Sequence, residues 1–448
     1  MVKNTLNFKC TSCGNRTSKW SGQCPSCSEW NTVEELSNDK FKSLRVMDGN
    51  EFFSLRDSKV DIDRLSTGMT ELDIVLGGGL VPGASMLIGG EPGIGKSTVL
   101  MQVALGVALQ NETVHYYSGE ESKTQILIRA KRLNISHKNI KVSTLAQLEE
   151  IETNIEKDIP KLVILDSIQT SKSDKVEGIP GSINQIKYAC QELTSLCKLL
   201  NISLFIVGHI TKDGQLAGPK TIEHMVDTVL YFENDKGNDL RLIRTAKNRY
   251  GSSSEIGIFK MTNDGLRQVS NPSSLFLSNS NTSLNGTSIF PAAEGSRIIL
   301  LEIQALVAQS SFSTAKRTVV GWDGAKLSML LAVLESRCSI SFSNMDIYLN
   351  IAGGVKTTDP AADLAVVAAL ISAKQEFPIR EKIVLFGEVN LSGTIRESHK
   401  TDVRIREAEK LGFKKAIIST NAKVDRIKTI KIEKITHLKE FISCLKNQ

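Results

Sequence analysis

Between residues 85 and 270 the chain repeats one pattern: a short apolar run, a polar or acidic residue at its end, then a longer stretch with apolar residues at helical spacing. Residues 86–88 lead into "GGEPGIGKS", "VHYYS" leads into Glu120 and Glu121, "KLVILD" ends on Asp166, and "ISLFIVGH" ends on His209. The intervening stretches predict helices over 97–110, 122–133, 147–158 and 181–200. Strands alternating with helices in this way predict an α/β fold: a parallel sheet with crossover helices and a site at the strands' carboxyl ends. Three more runs, "DTVLYFEND", "DLRLIRTAKNR" and "EIGIFKM", read as short strands joined by turns. In the second of them Lys247 and Arg249 stand two apart, a spacing that places both on one face of a strand. No acidic residue lies between 240 and 254 to pair with them.

Residues 271–289, rich in Ser and Asn, mark a boundary. A second α/β alternation follows, from "RIILLEIQALV" through "AKLSMLLAVLESRC", "MDIYLNIAGG", "PAADLAVVAALISAK" and "KIVLFGEVNL" to "KKAIIST". The expected organisation is a metal module over 1–32, a linker over 33–61, a nucleotide-binding domain over 62–270, a linker over 271–289 and a C-terminal domain over 290–448.

Composition narrows the class. A chain of 448 residues suggests two or three domains. Hydrophobic content of 41% and charged content of 23% are ordinary for a soluble globular protein. The net charge of +6 is unevenly placed: from Lys414 onward there are nine Lys/Arg against three Asp/Glu. That region fits either a polyanion partner or a solvated lysine-rich face. No run reaches the ~18 apolar residues of a membrane span, and "MVKNTLNFKC" lacks the apolar core of a signal peptide. The expected compartment is the cytoplasm, where eight cysteines are not a disulfide framework.

Four of those cysteines are clustered in "CTSCGNRTSKWSGQCPSC". Cys10, Cys13, Cys24 and Cys27 form two C-x-x-C pairs, each able to present two thiolates, and two such knuckles complete a tetrahedral all-sulfur site. Zn²⁺ suits four soft ligands. With no position left for water the metal is structural, and it supplies the stability that so short a module cannot bury. Trp20 and Trp30 are expected to cover the knuckles.

The loop Gly90, Glu91, Pro92, Gly93, Ile94, Gly95, Lys96, Ser97 fits G-x-x-x-x-G-K-[ST] in full, between a strand and a helix that opens through Thr98. Glycines let backbone N–H groups turn inward around phosphates, and the helix N-terminus adds its dipole. Lys96 would reach the β- and γ-phosphates of ATP, and the Ser97 hydroxyl the Mg²⁺. Asp166, at the end of an apolar strand downstream of a P-loop, suits the Mg²⁺ shell. Glu120 or Glu121 could orient and deprotonate the attacking water; the alternative is that the pair caps the helix beginning in "SGEES". His209 is either a γ-phosphate sensor or a structural histidine.

The stretch "LSTGMTELDIVLGGGLVPGASMLIGGEPGIGKST" resembles the start of a RecA-type ATPase core. Taken with the four-cysteine ribbon and its "WSGQCPSCSEWNT", and with "YYSGEES", "GHITKDGQLAGPKTIEHMVDTVLYFE" and "KNRYG", it resembles the bacterial RadA (Sms) family of DNA repair and recombination proteins over nearly the whole chain. The family's five-residue signature has Phe where this chain has Tyr250, a change that keeps the aromatic ring and leaves Lys247 and Arg249 in place.

The resemblance implies a homo-oligomeric, hexameric ring with ATP between subunits, in which Lys247 and Arg249 act on the neighbour's γ-phosphate. It implies single-stranded and branched DNA as partners, a RecA-type recombinase beside them, and branch migration as the activity. The alternative is an ATP-gated scaffold that loads a recombinase without translocating. In RecA-like rings the region of "KDGQLAGPKTIEH" lines the central channel, so Lys212 and Lys220 would track single-strand phosphates; the other reading is a plain surface loop. The C-terminal third resembles the Lon protease domain. Its nucleophile position, after the proline of "DPAADLA", holds Ala361, and its lysine position holds Asp402. Ser392, Ser398 and Lys400 lie nearby but not at matching positions. Without hydroxyl and amine no acyl-enzyme forms, so a protease fold without peptidase activity is expected.

Overall fold

The computed structural model describes residues 8–10, 12, 16–17, 19–35, 63–209, 221–234, 240–269, 271–277, 284–311, 314–380, 382–424 and 429–446. They fall in two compact units, Met1–Ile62 and Asp63–Gln448.

The first unit is a three-stranded antiparallel sheet of β1 (Phe8–Cys10), β2 (Arg16–Thr17) and β3 (Val33–Glu35), with β1 central. β3 runs into the stretch expected as linker, so the ribbon extends to residue 35. Its apolar core is only Cys10, Cys24 and Val33, with Phe8 and Cys27 packed against them. So small a core cannot offset chain entropy, which leaves the cysteine cluster to hold the fold. Trp20 and Trp30 do not cover that cluster: they are 63% and 69% exposed. Their rings instead flank Gly22.

The second unit holds two large sheets. The first has nine strands in the order β12-β11-β10-β9-β4-β8-β7-β5-β6. Its parallel part comprises β4 (Ser85–Gly90), β5 (Val114–Ser118), β6 (Ile140–Ser143), β7 (Leu162–Asp166), β8 (Ser203–His209) and β9 (Thr228–Asn234). β10 (Leu240–Asn248), β11 (Ile256–Thr262) and β12 (Gly265–Gln268) extend it antiparallel. The helices are α1 (Thr70–Val75), α2 (Lys96–Ala108), α3 (Lys123–Arg132), α4 (Leu148–Asp158), α5 (Ile183–Leu199) and the short α6 (Thr221–Met225). The four crossover helices fall within a turn of their expected bounds.

The central strands are apolar throughout because both their faces are buried. Met86, Ile88, Leu162 and Ile164 pack with α2 on one face. Leu87, Val163 and Leu165, on the other, pack with α4 and α5.

The C-terminal sheet runs β15-β16-β14-β13-β17-β20-β21. Its members are β13 (Thr287–Glu294), β14 (Arg297–Gln309), β15 (Arg317–Val320), β16 (Met345–Ile351), β17 (Ile383–Leu385), β20 (Lys415–Ser419) and β21 (Lys431–Ile435); β18 (Glu388–Val389) and β19 (Ile395–Arg396) form a separate ribbon. The segment expected as a second linker is partly core. A helical turn, α7 (Ser273–Phe276), buries Ser273 and Phe276, and β13 begins at Thr287. The remaining helices are α8 (Gly324–Cys338), α9 (Asp363–Gln375), α10 (Thr401–Lys410) and α11 (Leu438–Lys446). The two sheets share a core: Leu240, Leu242, Ile256 and Ile258 of β10 and β11 join the same buried cluster as Phe276 and Phe290. Among the described residues no helix is long and apolar enough to cross a membrane.

Candidate nucleotide and metal sites

The loop between β4 and α2 has the backbone that phosphate binding needs. Gly93 (φ +77°) and Gly95 (φ +120°) both adopt positive φ. A Cβ on Gly93 would meet nothing within 4 Å, whereas one on Gly95 would lie 2.8 Å from Met261. Ile94 is buried and anchors the loop, and its carbonyl accepts from Arg241 Nε at 3.2 Å. Glu91, Pro92 and Gly93 face outward. Gly95 caps α2, so the first N–H groups of a 13-residue helix point into the loop.

Lys96 is buried, and its ammonium curls back onto the carbonyls of Gly90 at 2.7 Å and Glu91 at 3.0 Å. Burial depresses its pKa, while the nearby charges of Asp166 and Glu120 oppose that. The P-loop cation and both acids therefore share one pocket of charge. Thr98 is buried and Ser97 half-buried at the helix start. Together, the open glycine cradle, the helix N-terminus and a buried lysine within the field of two carboxylates fit a nucleoside triphosphate with its Mg²⁺.

β7 delivers Asp166 at its last position, buried, where its carboxylate accepts from Tyr116 OH at 2.6 Å. Burial, and after it that carboxylate, pushes the Tyr116 phenol far above its ordinary pKa, so it stays a donor. β5 delivers the glutamates, and the structure separates them. Glu121, just ahead of α3, forms an ion pair with Arg129 of that helix, and burial raises its carboxyl pKa. Glu120 is exposed and accepts a hydrogen bond from Ser167, next to Asp166. Neither glutamate caps α3: Ser122 does, in a reciprocal capping box with Gln125. Sequence reasoning missed Tyr116, Ser167 and Arg129. Ser167 had a signal in its adjacency to Asp166, whereas the other two had none.

Lys247 and Arg249 have partners. A β-bulge at Ala246 interrupts the pairing of β10 with β9 just before Lys247. The Lys247 ammonium donates to the carbonyls of Glu223 (2.8 Å), His224 (3.3 Å) and Val226 (2.6 Å), capping the end of α6. Burial, and secondarily the Arg249 charge, lower its pKa. Arg249 lies just beyond the strand, exposed, and touches Asp227 at 3.3 Å. The acid that local sequence lacks comes from the neighbouring strand's approach.

In the C-terminal domain Ala361 is buried, and its N–H donates to Asp359 at 3.0 Å. Asp359 in turn pairs at 2.6 Å with Arg404, which is buried between Phe290 and Phe386. Lys400 donates to the Gly295 carbonyl. Ser392 Oγ donates to Asn390 at 2.7 Å, and Ser398 Oγ is buried without a partner among the described residues. Asp402 lies in the first turn of α10.

In the first unit the sulfurs of Cys10, Cys24 and Cys27 lie within 4.8 Å of one another. Backbone N–H groups of Cys27 and Ser26 hold the Cys24 thiol below its ordinary pKa, as a thiolate ligand needs. This donor set suits a soft metal. Cys13 lies outside the described residues, as do Lys212, Lys220 and the side chain of His209.

The P-loop, the Asp166 strand and the glutamate strand, in this sheet order, define a RecA-type P-loop ATPase core carrying a cysteine ribbon at its N-terminus. Residues 65–271 match the ATPase family KaiC, residues 8–35 the rubredoxin metal-binding domain of zinc ribbons, and residues 328–422 the ChlI subunit of Mg-chelatase. The chain belongs to the RadA family of DNA repair proteins. It is 45% identical to DNA repair protein RadA of Rickettsia felis, over 98% of this chain and 99% of that one. It is 44% identical to the RadA of Aquifex aeolicus, over 99% and 100%. A solved RadB recombinase covers 46% of this chain at 22% identity and a TM-score of 0.38, too low to carry weight.

Proposed function

We propose that this protein is a DNA-dependent ATPase of recombinational repair, a ring-shaped motor that moves branched DNA, with each ATP site completed by Arg249 of the next subunit. The observation that carries this reading is the position of Arg249 in the sheet. Asn248 pairs with Thr228, and Thr228 with Met86, at the start of β4. The P-loop begins at the other end of β4, where Gly90 pairs with Phe232. Four residues of strand, ~13 Å at ~3.3 Å each, separate the two ends, which puts a subunit's own phosphates beyond its Arg249. An exposed arginine at that edge suits a neighbour's γ-phosphate, where such a cation contributes ~10³–10⁵ in rate.

Within one subunit Lys96 and the loop amides hold the phosphates, Ser97 and Asp166 the Mg²⁺ shell, and Glu120 the attacking water. Mg²⁺, when bound, neutralises charge between β- and γ-phosphates. Lys247 serves its own subunit, holding α6 at the end of the segment that contains Lys220. Zn²⁺ on Cys10, Cys13, Cys24 and Cys27 would fold the ribbon. The C-terminal domain reads as a Lon-like fold without peptidase activity, since the nucleophile position is an alanine locked by Asp359 and Arg404. Its partners would be single-stranded and branched DNA and a RecA-type recombinase, in the cytoplasm.

The test is strand displacement from a forked DNA with ATP and with a non-hydrolysable analogue. A motor displaces only with ATP, and its ATPase rises on DNA. Equal loading of a recombinase with either nucleotide, and no displacement, would favour the scaffold.

A further inference from the structure

The C-terminal domain meets the ATPase sheet at the turn that carries Arg249. That turn runs from the end of β10 to Glu255, just before β11. Upstream of it, Arg244 on β10 donates to Glu294, the last residue of β13, at 3.2 Å. Downstream, the buried Glu255 accepts the Ser296 N–H at 2.9 and 3.1 Å and the Ser296 hydroxyl at 2.8 Å. Between these two contacts stands Gly295, at φ +60°. A Cβ there would lie 2.5 Å from the Ser254 carbonyl oxygen and 2.7 Å from the Glu255 carboxylate, so only glycine lets the hairpin tip approach this closely. Next in the hairpin, Arg297 binds both oxygens of the buried Glu71 at 2.7 and 2.9 Å, and Glu71 also accepts the Ile258 N–H of β11 at 3.0 Å. The hairpin thus holds β10 through Glu294, the turn through Ser296, and β11 through Arg297 by way of Glu71. A cavity of about 660 Å³ lies alongside, lined by Arg244, Ser254, Glu255, Glu294, Thr358 and Lys400. At the tip, therefore, alignment depends on these polar contacts.

The Arg249 backbone N–H donates to the Asp227 carbonyl at 3.1 Å, while its exposed guanidinium touches the Asp227 carboxylate at 3.3 Å, and an ion pair with so exposed a partner holds little. The frame must place the arginine. We propose that the 294–297 hairpin of the C-terminal domain is the positioning element for Arg249, so that this domain governs the hydrolysis rate at the neighbour's site. The proposal rests on Arg249 acting across a subunit interface. Misplacement of a reacting or stabilising group by ~1 Å can cost ~10²-fold. A shifted hairpin should therefore lower turnover without touching nucleotide affinity.

The test uses the full chain. Gly295→Val wedges the tip from the turn. Its ATPase on single-stranded DNA should fall ~10²-fold, while its affinity for a fluorescent ADP analogue stays at the parent value. Mixed with Lys96→Ala subunits, part of the activity should return, because one variant lends intact sites and the other intact, well-placed arginines. Mixed with Arg249→Ala subunits it should return nothing, since neither variant then supplies a placed arginine. Arg244→Glu and Glu294→Arg should each be slow and together recover in part, since Arg244 also pairs with Glu233 at 3.1 Å; that rescue guards against a Gly295 variant that fails to fold. Undiminished ATPase in Gly295→Val overturns the proposal. So does failure of Gly295→Val with Lys96→Ala while Arg249→Ala with Lys96→Ala recovers; the trans reading then stands. If neither mixture recovers, the trans reading fails and the proposal with it.

Discussion

The two ends of β4 are built in opposite ways. At its carboxyl end the groups we assign to ATP come from contiguous segments: residues 90–98, Glu120 two residues past β5, and Asp166 with Ser167 at the end of β7. At its amino end the Arg249 turn is fixed from far away, by Asp227 on the approach to β9, by Arg64 donating to the Tyr250 carbonyl at 2.7 Å, and by the hairpin 294–297. Chemistry that needs backbone N–H groups and a lysine at set offsets has to be written as a motif. Placing one arginine needs only a rigid frame, and a frame can be drawn from anywhere in the chain. Local damage should therefore be severe and confined to its own subunit at the first end. At the second it should be transmitted to the neighbour.

The sharpest separation comes from Lys96→Ala. It removes the P-loop cation, buried within the field of Asp166 and Glu120, and should reduce ATPase to background, with nucleotide binding lost as measured by a fluorescent ADP analogue. Retained hydrolysis would place the chemistry elsewhere. At the other end Arg297→Ala leaves the carboxylate of Glu71 buried with one backbone donor. Breaking such a pair costs ~3–5 kcal/mol, and a urea melt should register it as a loss of stability in the unit from Asp63 onward. An unchanged midpoint would show that the hairpin joint is loose. The smallest effect belongs to Ser122→Ala, which removes the cap of α3 for ~1 kcal/mol. If the glutamate end is locally built, this change alters melting slightly and leaves the ability to complement other variants intact.

Much of the first end was legible. The P-loop, the Asp166 strand and the four crossover helices follow from pattern, because strands buried on both faces and helices with one apolar face write themselves in sequence. The choice between Glu120 and Glu121 did not follow: it turns on Arg129, a helix turn and more away, claiming Glu121. Lys247 and Arg249 read as an unpartnered pair because their partners, the α6 carbonyls and Asp227, reach them only through sheet pairing. Residues 271–289 read as linker since Ser and Asn dominate, although Phe276 is core. Trp20 and Trp30 read as cover for the cysteine cluster, yet the small ribbon leaves both outside. Tertiary pairing is the common cause for Lys247, Arg249 and Phe276.

Whether Arg249 completes a neighbour's site is read from ATPase rate against mixing ratio for Lys96→Ala and Arg249→Ala subunits, with mixed assembly confirmed by size. Each variant alone should be nearly inactive, Arg249→Ala by ~10³-fold or more. Interfaces that join an intact site to an intact arginine should restore part of the rate, so the curve should rise to a maximum between the pure variants. A rate that stays flat at background across all ratios would contradict the account, because it would mean that Arg249 serves only its own subunit.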